Sequence, residues 1–302
     1  MGSVHLEALR RAEGVRLAGV VEPFELARAR VKQNGIATCA SVDELLAGAV
    51  PDGVLIAAPS DQHSQLVSRF AAAGVAVLCE KPVGVSVEQA REAATAAADG
   101  PIPLQVGYWR RFVPELQALR RRIAAGELGE VIQLCCYQWD HALPTDAFRS
   151  HSGGIAVDMG VHEFDQARWL LGQEFEAIRA TAAGASADRP VDDPDHATIL
   201  ASMSGGTAVV VSLGRRFPHE DSCWLEVWGT DAHERIEFMW DMDGRRVFED
   251  AMVRQAEAFA RMLGGAPLEG ADAVDAVVAL TVATRAADAL KAGGAHERLP
   301  VL

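Results

Sequence analysis

The first hundred or so residues alternate short apolar or β-branched runs with longer segments whose apolar positions recur every three to four residues. Runs of the first kind at 15–22, 53–59, 75–80 and 103–108, with a longer one at 131–139, predict strands. Segments of the second kind at 4–12, 25–33, 42–47, 62–73, 87–98 and 113–125 predict helices, and Gly14, Gly74 and Gly126 stand where helix ends favour glycine. Strands and helices alternating this regularly build βαβ units, so the expected architecture is α/β, a Rossmann-like doubly wound parallel sheet. The texture changes after a loop rich in Gly, Ser, His and Asp at 142–154. A helix at 155–171, stopped by Gly172, precedes alternating runs at 176–183, 197–215 and 223–239 with no helix between them. That pattern predicts a second, α+β unit on a mainly antiparallel open sheet. Two alanine-rich helices, 249–263 and 271–291, close the chain. The expected division is into units at 1–106 and 107–302.

Composition narrows the partners. A chain of 302 residues is long enough for two cores, and 49% hydrophobic content argues against disorder. Acidic residues outnumber basic ones 42 to 28, a formal charge of -14, whereas a nucleic-acid partner requires a Lys/Arg surface. The densest basic run, Arg120, Arg121 and Arg122, reads as the solvated face of an amphipathic helix. No run approaches the ~20 apolar residues that span a bilayer, and His5, Glu7, Arg10 and Arg11 interrupt any signal-peptide core. No membrane association is expected, and the expected compartment is cytoplasmic. Cys39, Cys79, Cys135, Cys136 and Cys223 contain no C-x-x-C pair and read as buried thiols. No histidine has metal-ligand spacing with acids or thiols, so no metal is expected.

Three features could carry chemistry. Glu80-Lys81-Pro82 follows an apolar run directly, which places Lys81 at the carboxyl end of a parallel strand, where doubly wound sheets bind ligands. An ordinary surface lysine fits the same position. Asp158 and His162 lie four apart in a predicted helix and so share a face, and a carboxylate beside an imidazole suits general acid–base work. Such pairs are also common on solvated helices. Glu22 closes a predicted strand 20 residues after Gly2, an offset that matches the carboxylate hydrogen-bonding the ribose hydroxyls of NAD, and its charge would repel the extra phosphate of NADP. An acid there is also a common turn residue. Pro59, Ser60 and His63 would line the same crevice, with His63 equally readable as a helix-start residue facing water.

Taken in order, several segments resemble the Gfo/Idh/MocA family, that of glucose-fructose oxidoreductase, inositol dehydrogenase and rhizopine catabolism. They are Gly2-Ser3-Val4-His5, the strand ending in Glu22, Ala58-Pro59-Ser60-Asp61-Gln62-His63, Glu80-Lys81-Pro82, Gly107-Tyr108-Trp109-Arg110-Arg111-Phe112 and Gly126-Glu127-Leu128-Gly129, then Gly153 through Asp158-Met159-Gly160-Val161-His162 to Trp169-Leu170-Leu171-Gly172. The resemblance implies an NAD-binding Rossmann domain at 1–106 and a substrate-binding and oligomerisation domain at 107–302. It implies an NAD-dependent dehydrogenase acting on CH-OH groups, transferring hydride between the nicotinamide and a carbinol carbon of a sugar, an inositol-like cyclitol or a related polyol. Lys81 would hydrogen-bond the reacting hydroxyl, His162 would take its proton, and Asp158 would orient His162 and bind substrate. Gly2, Glu22, Pro59, Ser60, His63, Glu80 and Lys81 would surround the cofactor, and Asp140 and Arg149 would contact substrate. A homo-oligomer, dimer or tetramer, would form through the C-terminal sheet.

One departure stands out. Family members begin with a strand and G-x-G-x-x-G, whereas this sequence starts at Met1-Gly2, the last glycine of that motif. The expectation is either a start assigned too late, with a strand upstream, or a shortened protein with weakened cofactor binding. The second would make a non-catalytic binding or sensor protein on the same fold the alternative; retention of Lys81, Asp158 and His162 favours the enzyme.

Overall fold

The computed structural model describes residues 1–183, 193–294 and 296–299. Its first unit alternates helices α1 (Gly2–Arg11), α2 (Glu25–Gln33), α3 (Val42–Ala47), α4 (His63–Ala72) and α5 (Val87–Asp99) with parallel strands. These are β1 (Val20–Val21), β2 (Thr38–Cys39), β3 (Gly53–Ile56), β4 (Ala76–Cys79) and β5 (Leu104–Val106). β4, central among its neighbours, is buried on both faces, which is why its sequence reads as one continuous apolar run. The strands form two hydrogen-bonded pieces, β2-β1 and β3-β4-β5, instead of the single sheet expected. β1 is far shorter than the predicted 15–22 because its ladder holds only where Val20 and Val21 face Thr38 and Cys39. β2 itself was not foreseen, since two residues carry no readable period.

The second unit is a seven-stranded sheet in the order β11-β10-β6-β9-β8-β7-β12. Its members are β6 (Val131–Trp139), β7 (Phe175–Ala183), β8 (His196–Met203), β9 (Ala208–Gly214), β10 (Ser222–Gly229), β11 (His233–Met239) and β12 (His296–Arg298). Every pairing is antiparallel except β6 with β9. The long runs at 197–215 and 223–239 each fold as two strands. Ile199, Val211, Leu213, Leu225 and Val227 point into the core, whereas Leu200 on the opposite face is 53% exposed. Period-two burial of this kind marks a sheet covered on one side.

The covering helices are α6 (Pro114–Ala124), α7 (Asp146–Ser152), α8 (Ile155–Asp158), α9 (Gly160–Leu171), α10 (Asp241–Leu263) and α11 (Ala273–Lys291). The helix expected at 155–171 is interrupted at Met159, where His162 donates back to the Met159 carbonyl in a tighter turn. Gly160 permits the break to pack closely: a Cβ there would meet Phe164 at 3.1 Å and Leu213 at 3.3 Å. Helix α10 returns to the first unit and lays Phe259 and Met262 against Ala76 and Leu78 of β4. Gly53 of β3 allows this approach, since a Cβ would lie 2.8 Å from the Phe259 ring. Among the described residues no helix is long and apolar enough to cross a membrane.

Candidate active site

Strands β3 and β4 end on a cavity of about 1290 Å³ between the two units. Lys81 leaves the end of β4 through a cis Lys81–Pro82 peptide, and its Nζ donates to the backbone carbonyl of Asp158 at 2.7 Å. The same Nζ lies 3.7 Å from Asp158 Oδ1. A lysine of the first unit is thus held by the helix break of the second. Asp158 Oδ2 faces Arg215 Nη2 at 3.4 Å, and the other arm of Arg215 donates to Asp193 Oδ1 at 2.6 Å. That aspartate oxygen also accepts the Ile155 N–H at 2.9 Å, fixing the start of α8.

His162 is buried, at 7% exposure, and still lines the cavity. Tyr108 and Trp109 present edges to its ring at 6.0 and 6.5 Å, and its Nδ1 is buried without a partner. Burial, reinforced by the charges of Lys81 and Arg110, holds its pKa well below the ordinary histidine range. The ring is therefore a neutral imidazole able to accept a proton. The expected Asp158–His162 pair does not form: the break at Met159 and the pull of Lys81 and Arg215 take the carboxylate elsewhere. The turn at Trp109–Phe112 explains what the aromatic and arginine motif does locally. It supplies the Trp109 ring edge, and its arginines pin α9 through two buried pairs, Arg110 with Glu163 at 2.5 Å and Arg111 with Asp165 at 2.6 Å.

The other expected site residues divide. Pro59, Ser60, His63, Glu80 and Asp140 line the cavity. His63 does not face water; at 1% exposure its ring nitrogens lie 2.7 Å from the Pro82 carbonyl and 2.8 Å from that of Ala58, joining the loops after β3 and β4. Glu80 is engaged internally, by His5 Nε2 at 2.5 Å and by the Lys81 N–H at 3.1 Å. Burial raises its pKa, but His5 and Lys81 together bring it below the usual carboxylate value. Gly2 lies in the first turn of α1, where Met1 and Val4 line the cavity and a Cβ on Gly2 would meet nothing within 4 Å. Glu22 follows β1 outside the cavity lining, its Oε1 accepting the Phe24 N–H at 2.9 Å. Arg149 likewise does not line the cavity; Asp193 and Asp195 take up its guanidinium at 3.0 and 2.5 Å. Burial, then the neighbouring charge of Asp221, pushes the Asp140 carboxyl up to about 6. His5, Arg215 and Asp193 went unforeseen as site residues. Their partners lie 75, 57 and 38 residues away in sequence, so no local spacing announces them.

A parallel α/β unit whose strand ends open on a cavity holding a lysine, a carboxylate and a neutral histidine defines a Rossmann-type oxidoreductase. Residues 1–108 match a model described as an oxidoreductase family with an NAD-binding Rossmann fold, and residues 116–233 match the GFO/IDH/MocA C-terminal domain. The chain belongs to the Gfo/Idh/MocA family. It is 45% identical over 291 residues to the rhizopine catabolism protein MocA of Rhizobium meliloti, covering 96% of this chain and 92% of that protein. Identity to an inositol 2-dehydrogenase of Rhizobium meliloti strain 1021 is 33% over 233 residues, covering 76% and 70% respectively. A crystal structure of a protein assigned as a myo-inositol dehydrogenase, from Sinorhizobium meliloti 1021, superimposes with a TM-score of 0.91 at 29% identity over 99% of this chain and 96% of that one.

Proposed function

We propose that the protein transfers a hydride between NAD and a carbinol carbon of a cyclitol, sugar or related polyol. The observation that carries this reading is the meeting of Lys81 and the neutral His162 imidazole, its Nδ1 without a partner, in one cavity at the strand ends. Bound NAD supplies the hydride acceptor, or in reverse the donor. The cavity suits it. At about 1290 Å³ it exceeds the roughly 300–1,000 Å³ of common small-ligand pockets, and the first turn of α1, with Met1 and Val4 in the cavity wall, brings a helix N-terminus to it, the end that suits a pyrophosphate. Pro59, Ser60 and His63 flank the cofactor in this reading, and Glu22 at the end of β1 favours ribose hydroxyls, hence NAD over NADP.

On the protein side, Lys81 donates to the substrate oxygen and stabilises the negative charge that develops there. His162 receives the hydroxyl proton. Asp158 anchors Lys81 through its carbonyl, and its carboxylate faces substrate hydroxyls beside Arg215. The relatives named inositol dehydrogenases support a cyclitol among the polyols. Residues 1–106 serve the cofactor and 107–302 the substrate and assembly. The uncovered face of the seven-stranded sheet, where Tyr137 stacks on Trp224 at 4.7 Å, is the surface for a homo-oligomer.

Absorbance of reduced cofactor, followed over a polyol panel, tests the reaction. Lys81→Ala and His162→Ala should each lower kcat by roughly 10²-fold or more. Unchanged turnover in either would refute the role given to that residue.

A further inference from the structure

We propose that His5 is a positioning residue for Lys81, acting through Glu80, so that one buried link sets helix α1 and the reactive lysine together; this rests on the part given to Lys81 in the dehydrogenase reading above. His5 is 3% exposed in α1, whose first turn reaches the cavity through Met1 and Val4. Its Nε2 lies 2.5 Å from Glu80 Oε1, and the other carboxylate oxygen of Glu80 accepts the Lys81 N–H at 3.1 Å. The ring of His5 and the backbone of Lys81 are thus fixed to each other across a single carboxylate. Glu80 is itself held by the sheet, its N–H donating to the Ile56 carbonyl at 2.9 Å. Gly107 leaves room for its side chain, since a Cβ there would lie 3.1 Å from Glu80 Oε1.

The buried Glu80 carboxyl is nevertheless held below the usual carboxylate range: burial works against ionisation, and His5, then Lys81, outweigh it. An ionised carboxylate only accepts hydrogen bonds, so His5 presents an Nε2–H to it. Among the described residues no other side chain donates to Glu80. Without that donor, burial favours the protonated acid, which turns to donate, and the Lys81 peptide loses its anchor. The reach of Lys81 to the Asp158 carbonyl at 2.7 Å starts from that peptide, so a shift there moves the ammonium. The far end of α1 is fastened too, Arg11 pairing with Asp250 of α10 at 2.5 Å, so the helix that carries His5 is held at both ends. Packing alone would ask only for the shape of the imidazole ring. The contact with a buried carboxylate asks for its N–H.

The test is NAD-dependent polyol oxidation by the full chain and its variants, followed through the absorbance of reduced cofactor. His5→Leu should lower kcat roughly tenfold or more while KM for the polyol changes by less than about threefold, because what is lost is the alignment of Lys81. His5→Gln, which returns an N–H donor to Glu80, should restore kcat to within about threefold of the unsubstituted chain. In a Lys81→Ala background, His5→Leu should change kcat by less than about twofold, since the residue it positions is gone. Unchanged kcat in His5→Leu, a deficit just as deep in His5→Gln, or the same fractional loss with and without Lys81 would overturn the proposal. Should His5→Leu fail to fold, His5→Asn, whose amide stops short of Glu80, takes its place in the same comparisons. If no polyol reduces NAD with the unsubstituted chain, the dehydrogenase reading fails by itself. The link is then judged by the rate at which acetic anhydride acylates Lys81, read by peptide mass spectrometry. A rate several-fold higher in His5→Leu, as Nζ leaves the Asp158 carbonyl, and restored in His5→Gln sustains it; equal rates in all three proteins overturn it.

Discussion

Replacing Asp140 by asparagine should stabilise the protein at alkaline pH and leave it unchanged in acid. In the folded chain this carboxyl titrates at about 6, against about 3.9 for an aspartate in an unfolded chain. Above pH 6 the folded state must hold an ionised carboxylate that burial and Asp221 both disfavour. At about 1.4 kcal/mol per pH unit, the cost at pH 8 is roughly 3 kcal/mol. As the pH falls through 6, the folded protein takes up a proton that the unfolded chain does not yet bind. The cost shrinks and is gone near pH 4. Asparagine never ionises, and its side-chain oxygen can still accept from Gln138. The variant should therefore gain up to roughly 3 kcal/mol at pH 8, a Tm higher by about 5 °C for a chain of this size. Urea denaturation followed by tryptophan fluorescence between pH 4 and pH 8 measures the difference. An equal gain at both ends of the range, or none at pH 8, would show that charge is not the cause.

Three further outcomes follow from the site. Glu163→Leu leaves the Arg110 guanidinium buried without its countercharge and should cost roughly 3 to 5 kcal/mol in denaturation, whereas Arg110→Met combined with Glu163→Leu should recover most of the loss; a neutral single variant contradicts this. Because His162 titrates well below the ordinary range when folded, the unfolded chain binds a proton first as pH drops below about 6.5, and stability falls by at most about 1.4 kcal/mol per pH unit until the folded value is reached. His162→Gln should remove that component of the acid slope, and identical slopes for both proteins would argue against it. Trp224→Lys on the uncovered sheet face should shift sedimentation velocity toward the monomer, and an unaltered profile would move the assembly surface elsewhere.

What the sequence made legible follows the range over which each signal acts. Strand β6 and helices α2 and α3 lie within the predicted bounds because caps and periodicity are local; Ser41, for example, accepts the Glu44 N–H just inside α3. The interruption of the helix at Met159 was not legible, since no breaker in 155–171 announces it and what opens it is a distant set of partners, Lys81, Arg215 and Asp193. The first eight residues of α10 escaped because their polar and charged positions obscure the apolar face. Lys81 and His162 could be located as candidates from a strand end and a motif. That Asp158 would turn from the histidine toward Lys81 and Arg215 depended on contacts 77 and 57 residues away.

Helix α10, 23 residues and about 34 Å long, couples the mechanics of the two units. Phe248 and Met252 form part of the cavity wall, and Phe259 and Met262 further along grip the sheet of the first unit. A hinge that swung the units apart would have to bend this rod or pull Phe259 out of the notch at Gly53. The cleft therefore keeps a set width, and ligands must enter and leave through its mouth without the units parting. Amide hydrogens of β4 and of the second half of α10 should then exchange in a single cooperative opening, at one free energy, like staves under one hoop.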